Sequence, residues 1–403
     1  MNKKLGLAVA GALVAFSSVA NAGITIPAGD WTVDIGGNVN AYYTHKSTEV
    51  SAQDSAGKSV SVPNGTLSNG VDGQTIGTGL LPAAFGIGAK TRQNDLDIAF
   101  QFSFFTGTSS GATGAAAGNN TLNIRQAFLT FGDASWGTIK AGRDLGIYAS
   151  DAILSDMTLL GVGVSPAGAQ TATAGGSSSL GRIGSGYIYA DWKGQMSYSS
   201  PNWNGFQFVV GAMEGFANGA QDLGYEGKVT YDFSANDVTG RVWASGITQK
   251  TSGATSYTSK GLDIGAKLAY QGFGLVGYYY DGEGLDSQIA TLGNPPLAPT
   301  AVVGGLFNAN GVKSQDSGGY VQATFVVPTI GTKLGASYGE SNSSYNGNVL
   351  TNDSWIVGAY HPLTKSLNLV AEYTRHDQKA SNVSIGSGKI ESDTVSVGAI
   401  LFY

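Results

Sequence analysis

The sequence predicts an all-β protein, a transmembrane antiparallel β-barrel of sixteen strands. Apolar and polar residues alternate along most of the chain, short connections alternate with long ones rich in Gly, Ser and Asn, and the first residues form an export signal. Closing the sheet leaves no backbone edge unpaired in lipid. We therefore expect strands that are apolar on the lipid side and polar towards an aqueous lumen.

The amino terminus predicts a cleaved signal peptide over residues 1–22, followed by a single barrel domain over residues 23–403. Its apolar stretch is too short to span a membrane as a helix, and no other segment approaches the roughly 20 apolar residues that such a helix needs. We expect export without a helical anchor. The three parts of the signal are Lys3 and Lys4, the apolar stretch Leu5 to Phe16, and the cleavage motif Ala20-Asn21-Ala22.

Strands are predicted wherever the alternation continues between turn-forming residues. In one clear case Ile98, Phe100 and Phe102 alternate with Asp97 and Gln101. Because nearly every strand keeps one polar face, a dry core between sheets is disfavoured, and sixteen strands would enclose a water-filled lumen. The predicted strands are 30–45, 84–91, 94–105, 121–132, 136–143, 191–200, 203–213, 223–233, 237–249, 259–271, 273–281, 318–328, 331–340, 353–361, 364–377 and 391–403.

The last predicted strand shows the pattern most clearly. Val395, Val397, Ala399 and Leu401 share one face, and the sequence stops on the aromatic residue Tyr403. Such a strand can face lipid, place an aromatic ring at the membrane interface and pair with the first strand to close the sheet. Other aromatics near predicted strand ends suit the interfacial girdles, namely Trp31, Tyr43, Phe105, Trp136, Trp192, Trp203 and Trp355.

Composition excludes several classes of function. The 403 residues include 61 glycines and no cysteine, so disulfides, thiolate chemistry and cysteine-bound metals are excluded. Without Lys3 and Lys4, 20 basic residues face 28 acidic ones, which argues against a nucleic-acid partner. The three histidines lack metal-ligand spacing, so we predict neither a metal nor a cofactor.

One connection, residues 144–190, is unusually long. A loop of this length in a compact protein is either functional or disordered, and a flexible surface loop is the alternative. Its first part, Leu145 to Leu160, is apolar enough to pack against the lumen wall, whereas Gly168 to Ser179 is rich in Gly, Ala, Ser and Thr.

Several motifs around this loop resemble the general diffusion porins of Gram-negative bacteria. In that family the third extracellular loop folds inward between two Gly-Arg pairs and narrows the channel. The resemblance implies an inward third loop, a homotrimer, and an outer membrane whose lipid and lipopolysaccharide surround the barrel. The motifs, in order, are Gly142-Arg143-Asp144-Leu145-Gly146-Ile147-Tyr148, Ser155-Asp156-Met157, Gly181-Arg182 and the hairpin Tyr198 to Phe206.

The resemblance also assigns a pore constriction. Asp156 matches the loop carboxylate, while Arg182 and Arg125 match arginines of the facing wall. Opposite charges across a narrow aqueous gap create a transverse field that favours small hydrophilic solutes. Two departures suggest a wider or less polarised gap: the second loop carboxylate is replaced within Thr158 to Val162, and Gly86 occupies the position of a second-strand arginine.

Further charged residues are candidates for the lumen surface, either as solvated groups without a special role or as contributors to ion preference. The sequence leaves the sign of that preference open, because it depends on which residues fold inward. These candidates are Lys90, Lys140, Arg143, Asp151, Lys193, Arg241 and Lys267.

We therefore predict an outer-membrane channel for passive diffusion of ions and small hydrophilic solutes, without catalysis. A substrate-specific channel for a sugar or organic anion would need tyrosines and tryptophans in series along the lumen, and the alternation places most of them towards lipid. An enzyme on a barrel would need a Ser/His/Asp set, and Gly335 to Gly339 fits Gly-x-Ser-x-Gly only in mid-strand. A non-conducting adhesin is a further alternative.

Overall fold

The computed structural model describes residues 23–59, 72–108, 122–164, 177–215, 222–251, 256–285, 313–345, 347–382 and 386–403. The predicted signal peptide, residues 1–22, lies outside the described residues. So does most of the Gly/Ala/Ser/Thr segment of the long loop.

Eighteen strands and two short helices form within these ranges. The strands are β1 Ile24–Ala28, β2 Trp31–Asp54, β3 Gly73–Gly77, β4 Ala83–Gln93, β5 Leu96–Thr106, β6 Asn123–Asp133, β7 Gly137–Leu145, β8 Trp192–Ser199, β9 Phe206–Met213, β10 Gly224–Ala235, β11 Val238–Thr251, β12 Tyr257–Tyr270, β13 Phe273–Glu283, β14 Gln315–Val326, β15 Lys333–Tyr345, β16 Asn348–Pro362, β17 Leu367–Asn382 and β18 Gly386–Phe402. An α-helix, α1 Ser150–Ser155, and a 3-10 helix, Met157–Leu160, follow β7.

Sixteen of the strands form one closed antiparallel barrel, which confirms the predicted fold class. Consecutive barrel strands are neighbours throughout, and β18 pairs with β2 to close the sheet. At the lower end of this seam the backbone amide of Gly37 donates to the carbonyl of Tyr403 at 3.0 Å, and the Tyr403 amide donates back at 3.1 Å. Closure therefore satisfies both edges that an open sheet would expose.

Two short strands were not predicted. β1 forms a hairpin with the start of β2, from Ile24 opposite Ile35 to Ala28 opposite Trp31. β3 pairs with β2 inside what the sequence suggested was one long loop. The first barrel strand also continues to Asp54 because its polar upper part still pairs with β18. Backbone pairing above an apolar band does not require apolar side chains, so periodicity alone missed it.

The two faces of the wall have opposite exposure. On β12, Leu262 and Ile264 are 72% and 62% exposed, whereas the intervening Asp263 is only 4% exposed. Successive side chains of a strand point to opposite faces, so the exposed apolar residues form the outer, lipid-side surface. The inward residues of this region are buried because the loop after β7 covers them, as described below.

Some of the short connections are tight two-residue turns. Asn94 and Asp95 join β4 to β5 with φ of 46° and 62°, and Gln271 and Gly272 join β12 to β13 with φ of 44° and 86°. Positive φ at both central residues is the geometry whose twist matches antiparallel strands. These turns set the register that directs alternate side chains inward.

Candidate channel lining

The loop between β7 and β8 is fastened to the inner wall by carboxylates. Glu226 on β10 accepts hydrogen bonds from the backbone amides of Ile147 at 2.6 Å and Tyr148 at 2.8 Å. Asp263 on β12 accepts one from Ala149 at 3.2 Å. These bonds satisfy the amides that enter α1, which would otherwise be buried without partners. Ser245 on β11 also accepts from the Ala149 amide at 3.3 Å, so the start of the loop is held across three neighbouring strands.

A second carboxylate clamp lies on another part of the wall. Glu372 on β17 accepts from the amides of Val162 at 2.7 Å and Gly163 at 2.9 Å, and from the Tyr360 hydroxyl at 2.6 Å. Gly161 lies where an added Cβ would collide with the Glu372 carboxylate. The absence of a side chain there lets the loop approach the clamp.

Polar side chains between the two clamps support the middle of the loop. The Tyr320 hydroxyl donates to the Ala152 carbonyl at 2.8 Å, and the Tyr42 hydroxyl donates to the Leu160 carbonyl at 2.7 Å. Gln322 accepts from the Met157 amide at 2.7 Å. Because β2, β10, β12, β14 and β17 all contribute, the loop crosses the barrel interior instead of lying on its rim.

Aromatic side chains of the wall form an apolar bed for the loop. Several strands turn tyrosines and tryptophans inward under the loop, whereas others, such as Tyr225 and Trp355, are exposed on the outer face. Phe105, expected in an interfacial girdle, is also buried and lies 5.7 Å from the Trp192 ring. The bed includes Trp243, Tyr278, Tyr280 and Tyr320, and the loop residues packed with it include Tyr148, Ala152, Ile153, Ile183 and Tyr187.

Arg182, in the later part of the loop, is wholly buried against the barrel wall, with 0% exposure. Its Nε donates to Ser337 Oγ at 3.0 Å, Nη2 donates to the same oxygen at 2.6 Å, and Nη1 donates to Ser354 Oγ at 3.0 Å. Burial lowers the pKa of the guanidinium, and nearby Asp156 opposes that effect. In this structure the charge meets hydroxyl groups instead of an open aqueous gap.

Asp156 caps the 3-10 helix. Its carboxylate accepts from the Thr158 amide at 2.9 Å, the Thr158 hydroxyl at 2.7 Å and the Tyr187 hydroxyl at 2.8 Å. The side chain of a residue at this position normally satisfies free helix amides. Asp156 is 3% exposed and shares with Arg182 a place in the buried part of the loop.

Arg125 reaches the interior from a β-bulge. Ser103 pairs with Gln126 while Phe104 pairs with Ile124, so Arg125 is the extra residue of β6. A bulge changes the direction of a side chain. The guanidinium lies 5.1 Å from the centre of the Phe105 ring and donates to Ser177 Oγ of the loop at 2.9 Å. The three predicted constriction residues thus all contact the loop region, but with separate partners.

The other candidate lumen charges divide by position. Lys90 pairs with Asp34 at 2.9 Å and is 52% exposed near the short turns. Lys140 pairs with Asp144, and Lys193 pairs with Glu226 at 2.5 Å in a buried position. Arg143 alternates with Asp144 on β7, so it occupies the outward face and is exposed.

Asp151 anchors α1 to basic wall residues. Its carboxylate accepts from Lys228 at 2.7 Å and from Arg241 at 2.9 Å. Burial alone would raise the pKa of Asp151, but the two cations outweigh it and lower the pKa to about 2. Asp151 is therefore ionised over the ordinary pH range.

Sequence reasoning missed the wall carboxylates Glu226, Asp263 and Glu372. The available signal was a carboxylate on the polar face of a predicted strand, which any lumen residue also shows. Within the described ranges, no cluster of three or more His, Asp or Glu side chains could hold a metal ion. Neither helix described is long and apolar enough to cross a membrane.

Comparison with known families decides the identity of the chain. A family model described as Gram-negative porin matches residues 8–381. The chain belongs to the Gram-negative porin family. A comparison with curated protein sequences found no significant match.

The porin also shares its fold with solved outer-membrane structures. The outer-membrane channel DcaP of Acinetobacter baumannii is 14% identical, with 94% of this chain and 99% of that chain covered and a TM-score of 0.65. OmpF of Salmonella typhi, in complex with daunomycin, is 15% identical, with 94% of this chain and 100% of that chain covered and a TM-score of 0.58. OmpT of Vibrio cholerae in a trimer form is 13% identical, with 93% of this chain and 99% of that chain covered and a TM-score of 0.54.

Family and fold together establish the location and the class of function. The porin is a β-barrel channel of the Gram-negative outer membrane that serves passive diffusion. The family match and the fold are both typical of channels and do not indicate an enzyme. The described geometry adds a loop that occupies part of the interior and therefore limits the free cross-section.

Proposed function

We propose that the porin passes ions and small hydrophilic solutes without catalysis, and that the loop over residues 144–190 sets the size limit. The observation that carries this proposal is the pair of carboxylate clamps, Glu226 and Glu372, which hold the loop across the interior. A segment fixed at two separate points of the wall narrows the path permanently, whereas an untethered loop would leave the lumen wide.

Planar-bilayer recording tests this proposal. We expect purified porin to give stepwise conductance, and Glu372→Ala to raise the unit conductance because the loop loses its second clamp. Glu340→Ala is the control, since Glu340 lies on the outward face of β15. An unchanged conductance in Glu372→Ala would contradict the size-limiting role of the loop.

For the predicted constriction residues we propose different roles. Arg125 supplies positive charge to the lumen wall, whereas Arg182 and Asp156 position the loop. Burial of the latter two, and their bonds to Ser337, Ser354 and Tyr187, support this division. Arg125 also bonds to the loop, so it contributes to both tasks.

A substrate-specific channel remains the second candidate, because inward aromatic side chains such as Trp243 and Tyr278 could form a sugar path. In the structure these rings are 3% and 5% exposed and packed under the loop, which favours the unspecific channel. Liposome swelling with a series of sugars separates the two. Rates that follow size alone support unspecific diffusion, and saturation by one sugar supports the specific channel.

We propose that the porin carries out no reaction. Ser337 of the Gly-x-Ser-x-Gly sequence lies in the middle of β15 and accepts hydrogen bonds from Arg182. A nucleophile elbow instead requires a strand-to-helix turn. Hydrolysis of peptide or ester substrates by wild-type porin, abolished in Ser337→Ala, would overturn this.

We also propose that the porin is exported with a signal peptide that is cleaved after residue 22. The mature chain forms a homotrimer that is surrounded by lipid and lipopolysaccharide. The trimer form of OmpT, a protein of the same fold, supports the assembly. The lysines, apolar stretch and Ala-Asn-Ala motif support the cleavage. The mass of the complex in detergent tests the trimer. The mass of the mature chain tests the cleavage after residue 22.

A further inference from the structure

The inner wall near the short turns carries several basic side chains. Each alternates with an outward apolar residue or shares a face with buried wall residues, so each belongs to the interior. On β12, for example, Lys267 shares its face with Asp263, while Leu268 points outward. The basic residues are Lys140, Lys228, Arg241, Lys267 and Lys333.

In three of the four ion pairs that these bases form, the base is the more accessible member of the pair. Asp144 is 2% exposed and its partner Lys140 is 23% exposed. Asp151 is 4% exposed, while Lys228 and Arg241 are 17% and 29% exposed. Asp232 is the exception, because it is 43% exposed while its partner Arg241 is 29% exposed. Water in the lumen therefore meets Lys140 and Lys228 in front of Asp144 and Asp151, which lie behind them.

Lys267 is different, because in the described part of the chain its ammonium makes neither a hydrogen bond nor an ion pair. It lies directly opposite Arg241 in the ladder between β11 and β12. The two carboxylates nearby are already engaged: Arg241 binds Asp232 through Nε at 2.6 Å and Nη2 at 2.7 Å, and it shares Asp151 with Lys228.

Two like charges opposite each other on neighbouring strands are destabilising. The five charged groups of this patch, the cations of Lys228, Arg241 and Lys267 with the anions of Asp151 and Asp232, sum to one net positive charge. On β15, three strands away from β12, Lys333 adds a second cation without an acidic partner among the described residues, and its Nζ lies 4.9 Å from the centre of the Tyr360 ring. Uncompensated charge on a water-lined wall is available to a passing solute.

We propose that Lys267 is a specificity-determining residue and makes the channel selective for small anions, carboxylates included. The inference rests on the proposed passive channel and adds the class of solute that it favours. Low-dielectric walls concentrate the field of wall charges in the aqueous path, so one uncompensated lysine has a larger effect there than on an open surface. Basic side chains that line a pore select anions for the same reason.

The test is the reversal potential of the purified porin in a KCl gradient. Wild type should favour chloride over potassium. Replacing Lys267 by Gln removes one positive charge. For an ion that passes roughly 6 Å from this charge, the ratio of chloride to potassium permeability should fall about threefold, and Lys267→Glu should lower the ratio about tenfold. Lys379→Gln is the matched control, because Lys379 lies on the outward face of β17 and pairs with Asp353 at 2.7 Å.

A second measurement uses succinate as the probe. Added succinate should reduce the chloride current of wild type at lower concentration than that of Lys267→Gln, because the divalent anion pauses beside Lys267. Heat-dependent migration in detergent gels confirms that each variant has folded, and Lys267→Arg should restore the wild-type values.

The outcomes are distinguishable. If wild type shows no stepwise conductance, the proposed channel fails. If it conducts but prefers potassium, or if the reversal potential of folded Lys267→Glu equals that of wild type, the anion proposal is wrong and the passive channel stands.

Discussion

The two ends of the inward loop are held by different chemistry. Near its start, Asp151 lies between Lys228 and Arg241, so opposite charges make the contact. Near its end, Arg182 is equally buried but bonds to the neutral hydroxyls of Ser337 and Ser354. Both side chains carry a charge that is removed from water. The Asp151 carboxylate is compensated by cations, whereas the Arg182 guanidinium is compensated by neutral hydrogen-bond acceptors.

This difference teaches how a β-barrel interior can bury charge. An isolated buried charge is costly unless hydrogen bonds replace its water shell. Arg182 shows that several neutral acceptors can do so. Such an anchor contains no acid that titrates in the ordinary range, whereas the Asp151 anchor depends on a carboxylate remaining ionised.

The largest expected effect comes from Arg182→Ala. Removing the guanidinium leaves serine hydroxyls without their partner and creates a cavity, so the free energy of opening the end of the loop should fall by about 3 kcal/mol. Hydrogen exchange of amides 177–190 should accelerate accordingly. Arg143→Ala, which removes an exposed outward arginine, is the control.

If loop amides of Arg182→Ala exchange no faster than those of the control, hydroxyl groups do not anchor the loop. Arg182→Lys separates charge from geometry, because lysine keeps the charge but loses the planar set of donors. We expect it to recover only part of the protection.

Lowering the pH acts on the other anchor. The pKa of Asp151 is lowered from 3.8 to about 2, so its stabilisation is complete above about pH 4 and disappears as the pH falls through 2. Asp151→Asn should remove about 2 kcal/mol of local stability at neutral pH.

Exchange of the α1 amides, corrected for intrinsic rates, measures this difference between pH 5 and pH 2. Wild type should lose protection in this range, and Asp151→Asn should start low and change little. Equal loss in both proteins would assign the acid response to another carboxylate.

A third variant joins both regions to ion preference. The double variant Arg125→Ala with Arg182→Ala should shift selectivity towards cations. Arg182 is fully buried, so we expect Arg125 to supply most of a change of about twofold in permeability ratio. Reversal potentials of the two single variants and the double variant decide it. If the reversal potential of the double variant equals that of wild type, neither arginine contributes to the ion selectivity of the channel.

The smallest effect is expected for an exposed pair. Lys90→Ala breaks the contact with Asp34, but exposed ion pairs contribute about 0.5 kcal/mol or less. Denaturant unfolding of the barrel measures it. A loss comparable to that of Arg182→Ala would mean that burial is not what distinguishes the anchors.

The barrel was predictable because one rule governs it. Alternation of residues such as Leu262, Asp263 and Ile264 reports directly which side faces lipid, and each strand repeats the test. Strand ends beyond the apolar band, such as the upper part of β2, carry no such signal. The sequence therefore predicted the number of barrel strands but not β1, β3 or the full length of β2.

The loop was harder to predict because its contacts join distant residues. Nothing local marks Glu372 as the acceptor for Val162 and Gly163, which lie far away in sequence. The motifs indicated Asp156 and Arg182 as important, and both lie in the loop. Whether an arginine faces water or a pair of serines depends on the opposite wall, which the motif does not contain.

The seam between β2 and β18 has a consequence for assembly. Its partners come from nearly opposite ends of the described chain, with Asn38 next to Phe402. Contacts of such long range form slowly, and an unfinished sheet exposes two adhesive edges until they meet. We therefore expect biogenesis to depend on shielding the nascent ribbon from self-association until its first and last segments have been brought into register.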